Sequence, residues 1–327
     1  MSAEAWRMVV RTPGGPEQIE RETIPIPQPA AGEVRIRVAA AGLNFIDTYH
    51  RTGLYPLPYP SGLGGEAAGI IDAVGDGVTG WQTGERVAFL SAAPGCYATH
   101  VVTEADRLVR LPDGISEEVA AAVLLKGFTC WMLAEPCGKV EPGMTVLVHA
   151  AAGGVGSMLV PWLKHRGATV IAHAGSAEKA EIARKNGADH VSSVSFDQLP
   201  KEVREITGGH GADVVFDGVG SASWNASLAS VARRGLVISY GNASGAVPPV
   251  APLDLLRAGS VFLTRPQIGH YVDGPEARAI AADRLFELIK KGVLPVHINQ
   301  RFPLARAADA HRALEARQTT GLTILVP

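Results

Sequence analysis

The chain has few cysteines, and they are not spaced for a disulfide framework or a metal cluster. Cys96, Cys130 and Cys137 are the three cysteines in 327 residues, an odd number without CxxC spacing. Small secreted domains that depend on disulfides carry many paired cysteines, so the sequence predicts reduced thiols and a cytoplasmic protein. The first residues, MSAEAWR, place an acid, an aromatic ring and a base where a signal peptide needs an apolar run.

An excess of charge of either sign is also missing. Lys and Arg together number 30 and Asp and Glu 32, which gives a formal net charge of −2. Without a basic surplus or a basic cluster interleaved with aromatic residues, the sequence does not favour binding to nucleic acid or to an acidic membrane. Apolar residues make up 46% of the chain, whose length suggests about two globular domains.

An uninterrupted membrane-spanning run is absent as well. Residues 143–163 are long and apolar enough to resemble a span, but Gly153, Gly154, Gly156 and Pro161 interrupt them. A transmembrane helix needs about 20 consecutive, mainly apolar residues, and glycines in the middle of such a run are more typical of a turn. This stretch therefore predicts a buried strand, a glycine turn and a helix.

The pattern of the chain changes near residue 140. Residues 1–125 combine alternating strands such as Glu33–Val38 with frequent Pro and Gly, which predicts a mostly β region. Farther along, strands alternate with helices, and repeated βα units with short turns predict a parallel sheet flanked by helices. The predicted strands are 145–149, 169–174, 212–217, 235–240 and 260–264, and the predicted helices are 155–166, 177–186, 221–232 and 275–291.

The residues that carry chemistry concentrate at the first βα turn of this region. Residues 146–156 read VLVHAAAGGVG, an AxxGxxG relative of the dinucleotide-binding fingerprint. Gly153 would let the backbone approach a pyrophosphate, Gly156 would let the helix pack tightly on the strand, and the helix N-terminus would offer N–H groups to the phosphates. Because the motif follows a predicted strand and precedes a predicted helix, it favours dinucleotide binding over a merely flexible turn. The predicted contacts are Ala152, Gly153, Gly154, Val155 and Gly156.

The end of the second strand indicates which dinucleotide. NAD sites usually carry an acid there, which bonds the ribose 2′-hydroxyl. Residues 172–176 read AHAGS and contain no acid. Ser176 can donate a hydrogen bond to a 2′-phosphate and Lys179 can supply charge, although Lys179 alone would be an ordinary solvated lysine. The combination favours NADPH over NADH.

Several stretches carry a family resemblance that covers essentially the whole chain. They are GLNFIDTY at 42–49, GLYP at 53–56, GLGGEAAG at 62–69, LKGFT at 125–129, the glycine loop, RG at 234–235, YGNASG at 240–245 and TRP at 264–266. The chain resembles the bacterial quinone oxidoreductases, the zinc-free, zeta-crystallin-like branch of the medium-chain dehydrogenase/reductase superfamily.

The resemblance implies an α/β fold of two domains and a homodimer. A GroES-like, β-rich catalytic domain is expected from residues 1–125 and 268–327. A Rossmann domain with a doubly wound parallel sheet is expected from residues 126–267, with NADP(H) in the cleft between the domains.

The resemblance also bears on zinc. It places Asn44 and Gly65 where zinc alcohol dehydrogenases have a cysteine and a histidine ligand. Neither residue suits Zn²⁺, which prefers thiolate or imidazole, so no metal is expected. Without a Lewis acid an alcohol has no activator, whereas a quinone is already an electron-poor acceptor. The expected activity is hydride transfer from NADPH to a quinone.

Site residues follow from the same resemblance. Asn44, Tyr49 and Tyr55 are expected at the nicotinamide end as the catalytic residues. Asn44 would orient the carboxamide or bond a substrate oxygen, and the tyrosines would stack on the acceptor and donate O–H bonds, although half-buried tyrosines are often core residues. Further expected cofactor contacts are Lys126, Thr129, Gly175, Gly218, Gly241, Asn242, Thr264, Arg265 and Arg317, of which Lys126 and Thr129 can equally be hinge contacts.

Two departures from the family pattern and two alternatives remain. Val194 stands where bacterial relatives often have a tyrosine that helps to hold the 2′-phosphate, which weakens the expected NADPH preference. Pro161 lies inside the helix after the glycine loop and is expected to kink it. The alternatives are a zinc-free NADPH-dependent reductase of enones or enals, and a non-enzymatic NADPH-binding protein of the crystallin or RNA-binding type.

Overall fold

The computed structural model describes residues 4–327, which divide into two compact units. The first unit runs to Lys126 and also contains Val272–Lys290 and Val296–Pro327. The second contains Gly127–Tyr271 and Lys291–Pro295. The predicted domain limits at 125/126 and 267/268 stay a prediction.

The strands and helices are as follows in chain order. The strands are β1 (Glu4–Val10), β2 (Ile19–Pro25), β3 (Glu33–Gly42), β4 (Ser61–Gly62), β5 (Glu66–Val74), β6 (Arg86–Leu90), β7 (His100–Glu104), β8 (Leu108–Arg110), β9 (Thr145–Val148), β10 (Thr169–His173), β11 (His190–Ser192), β12 (Ala212–Asp217), β13 (Val231–Ser239), β14 (Phe262–Thr264), β15 (Ile298–Pro303) and β16 (Leu322–Val326). The helices are α1 (Phe45–Thr52), α2 (Glu117–Met132), α3 (Gly156–His165), α4 (Ala177–Lys185), α5 (Leu199–Ile206), α6 (Trp224–Ser230), α7 (Pro252–Arg257), α8 (Pro275–Lys290) and α9 (Ala307–Glu315).

The first unit is built on two β-sheets. The smaller has the order β2-β1-β4, and the larger has the order β15-β16-β3-β5-β6-β8, with β7 paired to β3. Along β3 the apolar side chains of Val34, Ile36 and Val38 are buried, as their alternation with polar residues predicts. The C-terminal strand β16 lies antiparallel to β3. Both ends of the chain therefore contribute to this unit.

The second unit contains one parallel sheet of six strands in the order β11-β10-β9-β12-β13-β14. Strands β10 and β11 follow in order on one side of β9, and β12, β13 and β14 follow in order on the other. Leu147, Ile171, Val215 and Val237 form part of the core between the sheet and its helices. The doubly wound parallel sheet predicted from the sequence is confirmed.

Several local expectations need correction. The region predicted to be mostly β contains α1, and α2 begins at Glu117. The predicted helix 221–232 is shorter because Val231 already belongs to β13, and α5 has no counterpart among the predicted helices. Helix α3 continues past Pro161 to His165, in agreement with the predicted helix 155–166, and the kink expected at the proline stays a prediction. Helices α1 and α5 have eight residues each, too few for their apolar spacing to distinguish a helix from a loop.

One helical stretch among the described residues is long and apolar enough to cross a membrane by length and composition. It is Glu117–Cys137, and 67% of its most apolar window is buried inside the protein. Ala120, Ala121, Ala122, Val123, Leu124 and Phe128 are all fully buried. Burial of this extent is that of a core helix. Residues 143–163, the span considered from the sequence, instead form β9, the glycine turn and most of α3.

Candidate active site

The glycine loop joins β9 to α3 in a tight turn. Ala150 has a positive φ of 51°, and its carbonyl oxygen accepts a hydrogen bond from the Gly153 N–H at 2.8 Å. Helix α3 begins at Gly156 without a side-chain cap. The N–H groups of Ser157 and Leu159 already bond the carbonyl oxygens of Gly153 and Val155, so the N–H groups that remain for an anion are those of residues 154–156. A Cβ atom at position 156 would lie 2.4 Å from the Ala150 carbonyl oxygen. Only glycine lets the helix begin this close to the end of β9.

The parallel sheet brings seven other predicted cofactor residues of the second unit to the same edge. Each of them follows or ends a strand: Gly175 and Ser176 after β10, Gly218 after β12, Gly241 and Asn242 after β13, and Thr264 and Arg265 at the end of β14. The strand order reverses between β9 and β12, which is where doubly wound sheets bind nucleotides. The glycine cradle and this row of strand ends fit an extended dinucleotide.

The far strand ends are held together by close backbone packing. A Cβ atom on Gly218 would come within 2.8 Å of the Tyr240 ring, and one on Gly241 within 2.4 Å of the Gly218 carbonyl oxygen. The guanidinium of Arg265 donates to the carbonyl oxygens of Ser239 at 2.9 Å and Gly241 at 3.2 Å. These contacts define the backbone path that the cofactor would meet after β12 and β13.

The segment after β10 begins α4. Ser176 is the N-cap residue, and its Oγ accepts a hydrogen bond from the Lys179 N–H at 3.3 Å. The hydroxyl hydrogen of Ser176 is not used in that bond, so it can be donated to a phosphate. Lys179 is half-buried in the first turn of the same helix. Ser176 and Lys179 therefore lie within one turn of each other, and their contact with a 2′-phosphate stays a prediction.

Val194 has a structural role in this unit. Its carbonyl oxygen lies 2.9 Å from His173 Nε2, and its side chain packs against the hydrophobic core. Because a carbonyl can only accept, His173 carries its hydrogen on Nε2. The Val194 side chain offers no polar atom for a 2′-phosphate.

A buried polar network lies beneath the glycine loop, and sequence reasoning missed it. His149 Nε2 is 3.0 Å from Ser227 Oγ, which donates to Asp217 Oδ2 at 2.6 Å. Asp217 also accepts from Ser223 Oγ and from the N–H groups of Val219 and Gly220. Burial lowers the pKa of His149 to about 4, so the imidazole is neutral. An acid at the end of a predicted strand, followed by serines in the next helix, was the available signal.

In the first unit, Asn44 lies at the N-terminus of α1 beside a buried acid. Its Nδ2 donates to Glu66 Oε1 at 2.7 Å. The fully buried Glu66 also accepts from the Leu125 N–H at 2.7 Å, and Lys126 Nζ lies 3.4 Å from its Oε1. The structure therefore brings Asn44 and Lys126 together through Glu66, which the sequence analysis did not list as a site residue.

Asp47 holds the first turn of α1 from the other side. Its Oδ2 accepts from the Asn44 N–H and from the Tyr97 hydroxyl, both at 2.8 Å, and its carboxyl group is fully buried. Burial raises the pKa of Asp47 to about 7, although both hydrogen bonds and the charge of Lys126 act to lower it. Ionised Asp47 thus costs folding free energy that its partners offset only in part.

The network continues from Tyr97 to the C-terminal helix α9. Tyr97 Oη lies 3.5 Å from His311 Nε2, and Arg51 Nη1 lies 3.0 Å from His311 Nδ1. Arginine can only donate, so His311 Nδ1 is the accepting nitrogen, and burial together with Arg51 lowers the pKa of His311 to about 3. Arg51 also pairs with Glu315 at 2.6 Å. Helix α1 is therefore tied to α9 by charged and neutral hydrogen bonds.

The two candidate tyrosines contact each other. The ring centroids of Tyr49 and Tyr55 are 5.2 Å apart in an edge-on arrangement, and the Tyr55 N–H donates to the Tyr49 carbonyl oxygen at 3.1 Å. Tyr49 is buried and Tyr55 is half-buried. Of the remaining candidates, Thr129 is half-buried on α2, and Arg317 is exposed beyond α9 with a positive φ of 58°.

The donor atoms present do not fit a zinc centre. Among residues 4–327, no three His, Cys, Asp or Glu side chains are grouped as metal ligands. Asn44, which the resemblance places where zinc alcohol dehydrogenases have a cysteine ligand, commits its amide nitrogen to Glu66, and Gly65 has no side chain. Burial also raises the pKa of Cys96, which disfavours the thiolate that zinc requires.

Replacing Asp47 with asparagine should flatten the pH dependence of stability. The pKa of this carboxyl is about 7 in the folded protein against an ordinary value of 3.8, so the folded state binds the proton more tightly. That stabilisation is complete below about pH 4 and is lost as the pH rises through about 7. Relative to Asp47→Asn, the wild type should lose up to about 1.4 kcal/mol of unfolding free energy per pH unit in this window. Urea unfolding across the pH series measures the difference, and parallel curves for the two proteins would contradict the expectation.

Comparison with known proteins accounts for both units. Residues 30–113 match the family model described as alcohol dehydrogenase GroES-like domain, and residues 154–272 match the one described as zinc-binding dehydrogenase. The quinone oxidoreductase of Pseudomonas aeruginosa is 48% identical, covering 96% of this chain and 97% of its own length. A 2-haloacrylate reductase from a Burkholderia species is 40% identical over 98% of each chain.

A solved structure shares the whole fold. Escherichia coli quinone oxidoreductase, solved in complex with NADPH, superposes with a TM-score of 0.95 at 42% identity, covering 98% of this chain and 100% of that one. The prediction of a GroES-like β-rich domain and a Rossmann domain is confirmed. The chain belongs to the quinone oxidoreductase family of the medium-chain dehydrogenase/reductase superfamily.

Proposed function

We propose that the chain is an NADPH-dependent quinone reductase that works without zinc. The observation that carries the proposal is the glycine cradle at Gly153–Gly156 beside the acid-free turn that holds Ser176 and Lys179. The first suits a pyrophosphate and the second a 2′-phosphate. The relationship to quinone oxidoreductases, one of them solved with NADPH, supports the same cofactor and acceptor.

When bound, NADPH supplies the hydride, so the chain's own residues have to bind, orient and exclude water. The N–H groups at the start of α3 would hold the pyrophosphate, and the strand ends from Gly218 to Arg265 would hold the nicotinamide half. Tyr49 and Tyr55 would donate hydrogen bonds to the quinone oxygens, on which negative charge develops as the ring is reduced. The hydride brings one hydrogen and two electrons to the quinone, and the single proton that completes the hydroquinone would come from solvent.

The remaining cofactor assignments belong to the same proposal. Asn44 and Lys126 would contact the cofactor from the first unit, together with Arg317. Thr129, Gly175 and Asn242 would do so from the second, together with Thr264. Val194 leaves the 2′-phosphate to Ser176 and Lys179, so the preference for NADPH depends on those two side chains.

A spectrophotometric assay tests the proposal. Oxidation of NADPH and of NADH is followed with benzoquinone and naphthoquinone, with and without a chelator. We expect NADPH to be the better donor and the chelator to leave the rate unchanged. A rate that falls on chelation would overturn the zinc-free assignment, and a preference for NADH would overturn the roles of Ser176 and Lys179.

A second acceptor class has specific support. The 2-haloacrylate reductase at 40% identity is named for reduction of an activated carbon–carbon double bond. Such an alkene, like an enone or enal, is also an electron-poor hydride acceptor that needs no alcohol activation. The same assay with an enone and with 2-chloroacrylate separates the candidates, because activity on these alone would favour this second function.

We also propose that two copies associate through the edge of the parallel sheet. Strand β14 is an edge strand, and Phe262 on it is 64% exposed, with Leu256 and Leu253 on the nearby α7 exposed at 61% and 56%. An edge strand flanked by exposed apolar side chains can be covered by the same patch of a second copy about a twofold axis. Phe262→Asp should convert a dimer to a monomer in light scattering, whereas Ile280→Asp, at a 55% exposed site on α8, should not.

The other proposed properties follow from charge and thiol chemistry. The near-neutral net charge gives no general attraction for nucleic acid or for acidic membranes. The cysteines are unpaired among the described residues, as expected for a cytoplasmic protein. The proposed substrate is a small quinone or a related electrophile.

A further inference from the structure

The Asn44 side-chain amide is oriented by its hydrogen-bond partner, Glu66. The Glu66 carboxylate can only accept, so the group directed at it across 2.7 Å must be Nδ2. The amide oxygen, Oδ1, therefore faces away from Glu66. The Asp47 N–H bonds the Asn44 carbonyl oxygen at 3.1 Å and not Oδ1, and among the described residues the Asn44 side chain makes no cap hydrogen bond at the start of α1.

Glu66 is held in place on every side. It is fully buried, the Leu125 N–H bonds its Oε2, and Lys126 Nζ approaches its Oε1. A Cβ atom at position 42 would lie 2.2 Å from Glu66 Oε1, so Gly42 leaves the space that the carboxylate occupies. To turn its amide over, Asn44 would have to leave a charge-assisted hydrogen bond and place oxygen against oxygen.

An outward-facing acceptor limits which ligand Asn44 can bind. The oxygens of a quinone accept hydrogen bonds and have no hydrogen to donate, so Oδ1 has nothing to accept from a quinone. The nicotinamide half of NADPH does carry donors, namely the carboxamide N–H2 and the ribose hydroxyls. The polarity of Asn44 therefore suits the cofactor and not the oxidised substrate.

We infer that Glu66 is a positioning residue that turns Asn44 so that Oδ1 accepts a hydrogen bond from the nicotinamide half of the cofactor, an assignment that rests on the proposed function. Of the two roles that the sequence leaves open for Asn44, this selects orientation of the cofactor. Contact with the quinone oxygens is then left to the hydroxyl groups of Tyr49 and Tyr55.

Equilibrium binding tests the inference without turnover. Calorimetric titration compares NADP⁺ with adenosine 2′,5′-bisphosphate, which lacks the nicotinamide half, in wild type, Glu66→Gln and Glu117→Gln. Glu117 lies on α2, as Lys126 does, and forms a salt bridge with Arg86 of β6. It serves as the matched control. Glu66→Gln should weaken NADP⁺ about tenfold and leave the bisphosphate within about twofold, because a single hydrogen bond to the nicotinamide half is lost. Glu117→Gln should change neither affinity.

The 3-acetylpyridine analogue of NADP⁺, which lacks the N–H2 group, identifies the donor. If the analogue binds the wild type more weakly than NADP⁺ does, but binds Glu66→Gln as tightly as NADP⁺ does, the donor is the carboxamide. If the analogue and NADP⁺ bind the wild type equally, the donor is a ribose hydroxyl. An equal loss for NADP⁺ and the bisphosphate in Glu66→Gln, or no loss for either, overturns the inference. If that variant does not fold, Asn44→Leu, which keeps the Glu66–Lys126 pair, must give the same selective loss. Failure of the wild type to bind either ligand would instead contradict the proposed function.

Discussion

Replacing Gly156 with alanine should lower the affinity for NADPH about 10- to 100-fold, the loss that corresponds to one hydrogen bond to a charged phosphate at about 1.5–3 kcal/mol. The added Cβ would lie 2.4 Å from the Ala150 carbonyl oxygen and 2.7 Å from backbone atoms of Ala151. Backbone atoms cannot rotate away as a flexible side chain does, so the start of α3 has to move. That movement displaces the N–H groups proposed to hold the pyrophosphate. Calorimetric titration with NADPH measures the loss.

A matched glycine-to-alanine change separates this effect from a general one. Gly95 has ordinary backbone angles, and a Cβ there would meet nothing within 4 Å. Gly95→Ala should therefore bind NADPH as the wild type does and unfold at a similar temperature. If Gly156→Ala bound NADPH normally, the close approach of α3 to β9 would not be what the cofactor requires.

Replacing Lys179 with glutamate should raise the KM for NADPH roughly 10- to 100-fold and leave the KM for NADH nearly unchanged. Lys179 is half-buried in the first turn of α4, next to Ser176 at the N-cap. The substitution removes a positive charge and adds a negative one where only NADPH carries a 2′-phosphate. One to two powers of ten correspond to about 1.4–2.8 kcal/mol, which is reasonable for reversing a charge beside a phosphate.

Lys185→Glu makes the same charge change at the exposed C-terminal end of the same helix. It should alter neither KM appreciably, because six residues of helix separate the two lysines by about 9 Å, close to the screening length in physiological salt. Steady-state kinetics with both cofactors checks the pair. Equal increases in KM for NADPH and NADH in Lys179→Glu would show that this lysine is only a surface charge.

The parts of the fold that sequence reasoning predicted well depend on local patterns. Strands β9, β10 and β12, and the turn from Ala150 to Gly156, were predicted from short apolar runs and from glycine spacing. The order of parallel strands then places the predicted residues that follow or end a strand at one sheet edge, whereas Thr129 lies on α2. The short helices α1 and α5 were missed because eight residues provide too little periodicity to distinguish a helix from a loop.

The missed residues are polar groups whose partners lie far away in the sequence. Glu66 meets Asn44 across 22 positions and Lys126 across 60, and Tyr97 meets His311 across 214. A single acid in a glycine-rich motif reads as a solvated charge until the fold shows that it is buried. The raised pKa of Asp47 has the same origin, since it is caused mainly by burial.

By itself, the sequence determined that this chain carries a dinucleotide loop on a βα unit, lacks the acid typical of an NAD site and has Asn44 and Gly65 at the two positions where zinc alcohol dehydrogenases have zinc ligands. These properties reside in a few consecutive residues and in the close backbone approach that the absence of a side chain at Gly156 allows. The tertiary structure alone decided which way Asn44 presents its amide and how α1 is tied to α9. Those features depend on buried hydrogen bonds between distant segments, because a carboxylate taken out of water must find donors wherever the fold brings them.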